Sequence, residues 1–144
     1  MNRIALELAR DLHQPSLAAG YSLPVVRVLA NLRLKTQQGW TITRKAIVDT
    51  GATVSLIPRS VWLDADPAAI PPVRAAGVVN RPECTVRATL AKVECVILHG
   101  QDHIGPLSIH ALLAESDRVP LLLGVSGILD RVRLLVDIPA DIAF

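Results

Sequence analysis

Residues 46–58, AIVDTGATVSLIP, constrain this chain more than any other stretch. Ala46, Ile47 and Val48 run straight into Asp49, and Gly51 follows two positions later. Such a run reads as a short buried strand, and the glycine reads as a tight turn just beyond it. The chain resumes an apolar course from Val54 to Ile57 and is stopped by Pro58, which suits the first position of a helix. A carboxylate at this strand end has apolar neighbours and should pay a desolvation cost when ionised. The tripeptide Asp-Thr-Gly is common by itself, and its flanks give it weight. The plain alternative is a turn aspartate bonded to nearby backbone.

The rest of the sequence predicts short strands separated by turns. Val26, Val28, Ala30, Leu32 and Leu34 alternate onto one face, the polar stretch 36–39 (TQQG) makes a turn, and 40–48 reads as the returning strand. Residues 60–63 suit one helical turn, 64–72 a loop, and 73–97 two or three strands. Residues 99–106 (HGQDHIGP) read as a turn, with strands at 107–113, 119–123 and 134–138. Residues 127–132 are predicted helical, with Ser126 as N-cap. Residues 1–20 fit a strand or a helical stripe equally well, and 13–20 read as a connector. Many short strands, frequent turns and one short C-terminal helix predict a compact, mostly β fold.

Composition narrows the function classes. The 144 residues suit one domain, and 51% hydrophobic against 19% charged residues predicts a folded core. Aromatics are only 3%, so the core must be aliphatic, which suits a pleated sheet. A net charge of +2, with scattered arginines and no interleaved aromatics, argues against a nucleic-acid partner. The longest uncharged stretch near the C-terminus, 119–129, is too short to span a membrane. The N-terminal MNRIALELARDL has no apolar signal core, so a cytoplasmic location is expected. Cys84 and Cys95 lack CxxC spacing and read as reduced, partly buried thiols, with a disulfide between them left open.

The segment around Asp49 resembles the signature of the retropepsin family, the retroviral-type aspartic proteases and their cellular and bacterial relatives. The likeness rests on Ile47-Val48-Asp49-Thr50-Gly51-Ala52, then Ser55-Leu56-Ile57-Pro58. A second element supports it: Leu121-Leu122-Leu123-Gly124, followed by VSGILDR and a last apolar run at 132–137. KAIVDTGA and VPLLLGVS also look like halves of a weak internal duplication. The resemblance extends over residues 23–137. It implies an all-β acid-protease barrel, one lobe per chain, with residues 23–144 as the domain and 1–22 as a dimer-interface strand or a leader.

The resemblance further implies an aspartic endopeptidase acting on peptides or proteins. One short chain offers one Asp-Thr-Gly, whereas peptide hydrolysis needs both an acid and a base. A homodimer would bring Asp49 and its symmetry mate together, sharing a proton. By the same resemblance Thr50 bonds across the dimer, Gly51 lets its backbone approach the peptide, Ala52 lines the cleft floor and Gly124 supports the loop. A flap is expected at 74–81, with Ala76, Gly77, Val78 and Val79 over the substrate, though it lacks a glycine-rich tip. No cofactor and no metal are implied. One departure stands out: Thr53 and Val125 replace the acid and arginine that retroviral enzymes pair there.

Two rivals remain at this level: a catalytically silent dimerisation or peptide-binding module of the same fold, and an unrelated β-barrel with a coincidental Asp-Thr-Gly. Other residues read more plainly. His99, Asp102 and His103 fit a solvated loop better than a metal site, and His110 reads as structural. Ser55 and Ser126 have no histidine nearby in sequence and no nucleophile-elbow context. Trp40 and Trp62 suit core or interface packing.

Overall fold

In the computed structural model, residues 3–76 and 86–144 are described. Eight strands form one mixed sheet: β1 (Glu7–Leu12), β2 (Pro24–Leu34), β3 (Arg44–Val48), β4 (Ser55–Ile57), β5 (Ala68–Ala76), β6 (Arg87–His99), β7 (Asp102–Ala114) and β8 (Leu122–Leu123). Their order is β1-β2-β3-β8-β4-β7-β6-β5. β6 also pairs with the second half of β2, from Asn31↔Leu98 to Leu34↔Cys95, so the sheet closes on itself. Closure leaves β1 and β5 as the strands paired on one side only. β1 occupies the first half of β2, and β5 hangs from β6. The mostly β architecture predicted from the sequence is the one observed.

The core is aliphatic, as the scarcity of aromatics requires. Alternate residues supply it: Ala30, Leu32 and Leu34 from β2, Val93, Cys95 and Ile97 from β6, Ile109, Ala111 and Leu113 from β7. This period of two follows from the pleat, which sends successive side chains to opposite faces. Ile4 and Ile128 join the same cluster, so one core serves the chain from its first turn to its last. Leu6 N–H bonds Ala143 O at 2.9 Å, and Arg10 reaches Asp141 and the Ile138 carbonyl. Residues 4–10 are thereby tied to the C-terminal hairpin, β9 (Val136–Asp137) with β10 (Ile142–Ala143).

Several elements differ from the sequence reading. The expected turn at 99–106 contracts to Gly100 and Gln101, because His99 pairs with Asp102. Gly100, at φ +60°, takes the backbone conformation a two-residue hairpin loop demands. Gly105 and Pro106 instead lie within β7, at a register shift opposite β6. There the ladder is broken, and a strand tolerates a proline. β5 begins at Ala68, inside the expected loop 64–72, and Trp40 makes only an isolated bridge to Lys35 ahead of β3. Residues 13–20, read as a connector, contain a short helix α1 (Gln14–Ala18). The strand at 134–138 shrinks to β9, and its partner β10 carries too little pattern to be predicted.

The helical turn after Pro58 is present as α2 (Arg59–Trp62), with Pro58 at its cap. The Asp117 carboxylate accepts the Ser60 N–H at 2.7 Å, and these hydrogen bonds with Ser60 hold its carboxyl below the usual range. Trp62 packs against the core and donates Nε1–H to the Ala114 carbonyl at 2.7 Å, whereas Trp40 is largely exposed. Trp62→Phe keeps an aromatic six-membered ring but removes the indole N–H that bonds the carbonyl of fully buried Ala114. We expect a loss of about 1–2 kcal/mol in denaturant unfolding.

Cys95 is fully buried in the core, and burial pushes its thiol up to about 12. Cys84 lies outside the described residues. In a Cys84→Ser variant, a thiol-specific reagent at pH 8 should label Cys95 only after denaturant is added. The folded pKa lies above the unfolded value of about 8.5. The thiol's contribution to stability is therefore complete below that unfolded value and lost as pH rises toward 12. Among the described residues, no helix is long and apolar enough to cross a membrane.

Candidate active site

Asp49 stands at the end of β3, where that strand gains an unusual neighbour. β8 lies parallel to β3, with Ile47 opposite Leu122 and Val48 opposite Leu123, and antiparallel to β4 at Leu56↔Leu122. It thus threads between the two strands that flank the Asp49 loop. The Ile47 N–H donates to Leu121 O and the Asp49 N–H to Leu123 O, both at 2.9 Å. The two apolar runs of the suspected duplication are therefore neighbours in one sheet, paired at Ile47↔Leu122 and Val48↔Leu123, one position off the match read from the sequence.

The loop closes on the carboxylate. The Gly51 N–H donates to Asp49 Oδ1 at 2.9 Å, and the Ala52 N–H to the Asp49 carbonyl at 3.3 Å. A Cβ on Gly51 would lie 3.3 Å from Asp49 Oδ1, so any side chain there would push on the carboxylate. Asp49 and Ala52 are half-buried, while Thr50 and Gly51 are exposed.

Gly124 lies directly beneath. Its missing side chain matters: a Cβ there would stand 2.5 Å from the Val54 carbonyl carbon and oxygen and 2.8 Å from Ala52 O. Val125 N–H bonds Ala52 O at 2.8 Å, and Ser126 N–H bonds Thr53 O at 2.9 Å. Main-chain bonds thus join residues 52–53 to residues 125–126.

The turn that follows, Val125–Leu129, is irregular rather than the helix expected at 127–132. Ser126 is not its cap; Gly127, at φ +90°, donates its N–H to Asp130 Oδ1 at 2.9 Å. Ser126 has no histidine nearby in sequence, but the fold brings it one from 16 positions away. His110 of β7 places Nδ1 3.0 Å from Ser126 Oγ, and the pair ties β7 to this turn. Ser55 was also passed over. It is fully buried, and its Oγ accepts the Gly124 N–H at 3.0 Å. A polar residue inside the apolar run Val54–Ile57 was the signal that could have found it.

The structure therefore brings Asp49, Thr50, Gly51, Ala52 and Gly124 into one loop cluster. Ala76 ends β5 opposite Arg87, whereas Gly77, Val78 and Val79 of the expected flap lie outside the described residues. His99, Asp102 and His103 are exposed around the β6–β7 turn. Among the described residues no three potential metal ligands gather. A cavity of about 900 Å³, lined by Ile4, Val48, Leu123, Ile128 and Phe144 among others, touches the Asp49 strand but not its carboxylate.

No family model matches the chain, and no curated protein sequence does. Solved structures do. A retropepsin-like aspartic protease from Rickettsia conorii superposes with a TM-score of 0.52 at 16% identity, covering 82% of this chain and 89% of that one. EIAV protease, solved with the inhibitor HBY-793, gives a TM-score of 0.48 at 17% identity, over 76% of this chain and 93% of that one. Agreement over this length, together with the β8 strand threaded beside the Asp-Thr-Gly loop, establishes that the chain has the fold of the retropepsin-like aspartic proteases.

Proposed function

We propose that the protein is an aspartic endopeptidase whose active site forms when two copies meet around a twofold axis, each contributing Asp49. The observation that carries this reading is the loop itself: a rigidly bonded Asp-Thr-Gly turn whose Thr50 and Gly51 face solvent in the single chain. A turn aspartate serving only its own backbone would not need β8 threaded beside it. Nor does the 900 Å³ cavity reach the carboxylate, as expected if the substrate cleft lies between two copies.

In this reading the two Asp49 carboxylates share one proton, because neighbouring like charges cannot both ionise cheaply. One accepts a proton from water as its oxygen bonds to the peptide carbonyl carbon, and then passes that proton to the amide nitrogen as the C–N bond breaks and the amine leaves. The protonated partner's Asp49 hydrogen-bonds the carbonyl oxygen and stabilises the developing charge. Thr50 bonds between the two loops, Gly51 admits the peptide backbone, Ala52 lines the floor, and Gly124 lets β8 pass close beneath. Residues 76–79 cover the substrate. The chemistry uses water and side chains alone.

The test is cleavage of a mixed peptide library at acidic and neutral pH, read by mass spectrometry, with sedimentation measured on the same sample. Discrete cleavage by a dimeric species supports the proposal. Dimers that cleave nothing at any pH point to a silent peptide-binding module, and a monomer at high concentration defeats the shared site.

A further inference from the structure

Ser55 is the one fully buried polar residue among the described residues, and its Oγ receives the Gly124 N–H at 3.0 Å. That N–H belongs to the peptide bond joining Leu123 to Gly124. The carbonyl of the same peptide bond, Leu123 O, receives the Asp49 N–H at 2.9 Å. A peptide unit is planar, and in its trans form the carbonyl and N–H point in opposite directions. One rigid plate therefore stands between Ser55 and Asp49, held by a hydrogen bond at each end.

We infer that Ser55 is a positioning residue for Asp49, acting through the Leu123–Gly124 peptide plane. This deepens the protease reading and rests on it for its catalytic consequence. The buried Leu123 side chain anchors one end of the plate in the core, whereas Gly124 at the other end has no side chain and cannot acquire one: Val54 backbone atoms lie 2.5 Å from where a Cβ would be. With the Ser55 hydroxyl removed, the plate is free to tilt about its remaining neighbours, and its carbonyl swings with it. The Asp49 main chain then loses the fixed acceptor that sets its height in the loop. A displaced reacting group costs turnover far more than substrate binding.

The experiment compares Ser55→Ala with Ser55→Thr, which retains a hydroxyl, and with Val93→Ala, a core substitution on β6. The first readout is amide hydrogen exchange at Gly124 and Asp49, which requires no activity. Ser55→Ala should speed exchange at both amides about tenfold or more, and Ser55→Thr should return both toward the parent. The second readout is peptide cleavage. In Ser55→Ala kcat should fall about tenfold to a hundredfold while KM stays within about twofold, since no peptide contact is removed. Val93→Ala should lower thermal stability without this kcat loss.

An Asp49 amide that exchanges in Ser55→Ala as it does in the parent overturns the inference. So does a kcat loss reproduced by Val93→Ala. If the parent cleaves no peptide, the protease reading fails, and the exchange rates alone decide whether Ser55 holds the plate. Should Ser55→Ala not fold, Ser55→Cys replaces it: sulfur is a weak acceptor, so partial acceleration at both amides is expected and none would overturn the inference.

Discussion

Asp49→Asn is expected to abolish peptide cleavage while leaving the fold intact. Asparagine keeps an oxygen where Oδ1 accepts the Gly51 N–H, so the loop retains its bond and thermal unfolding should shift little. What disappears is the capacity to hold or release a proton at that atom. Loss of a general base or acid typically costs a factor of about 10² to 10⁴, and here both roles fall on copies of one residue. Subunit mixing sharpens the prediction. If equal amounts of parent and Asp49→Asn chains re-pair at random, about a quarter of the pairs keep both carboxylates. Activity per parent chain should then fall by about half. Activity proportional to the parent chain, unaffected by the variant, would mean that each Asp49 works alone.

Gly124→Ala is expected to be among the most damaging small changes at the described glycines, alongside Gly127→Ala. The added carbon would sit 2.5 Å from the Val54 carbonyl group and 2.8 Å from Ala52 O, all backbone. Flexible side chains can move aside, but here β8 or the 52–54 segment must shift. Overpacking of this kind costs about 3 kcal/mol or more, corresponding to a fall in Tm on the order of 10 °C for a domain of this size. Either movement also strains the Asp49–Leu123 and Val125–Ala52 bonds. Cleavage should therefore fail at temperatures where the variant is still folded. Calorimetry and a peptide assay on one preparation would separate the two effects.

The Asp-Thr-Gly half of this site was far more legible than its foundation. Asp49, Thr50 and Gly51 announce themselves because an apolar strand ending in an acid and a glycine is locally unusual. Leu121–Gly124 could be matched by the same apolar-run-plus-glycine pattern, and the structure sets the two side by side. Ser55 and the His110–Ser126 contact stayed hidden because their partners are 69 and 16 positions away, and no local periodicity encodes them. The turn at Gly100 was misjudged for a related reason. Gly and Pro at 105–106 look like loop chemistry, yet they occupy a register shift that only the pairing of β6 with β7 reveals. Strand ends depend likewise on neighbours: β3 is shorter than its apolar pattern, and β8 is only two residues long.

The threaded position of β8 also bears on how the molecule is made. Ile47 and Leu122 are neighbours in the sheet but 75 positions apart in the chain, and such long-range closures slow folding. During synthesis the Asp49 strand must wait for more than seventy further residues before its flank is filled, from Ile47 to Leu122. A nascent or truncated chain that stops short of Leu121 cannot complete the loop. Any cutting activity that depends on this loop is thus withheld until residues 121–124 have been made and can pair, a safeguard that follows from strand order alone.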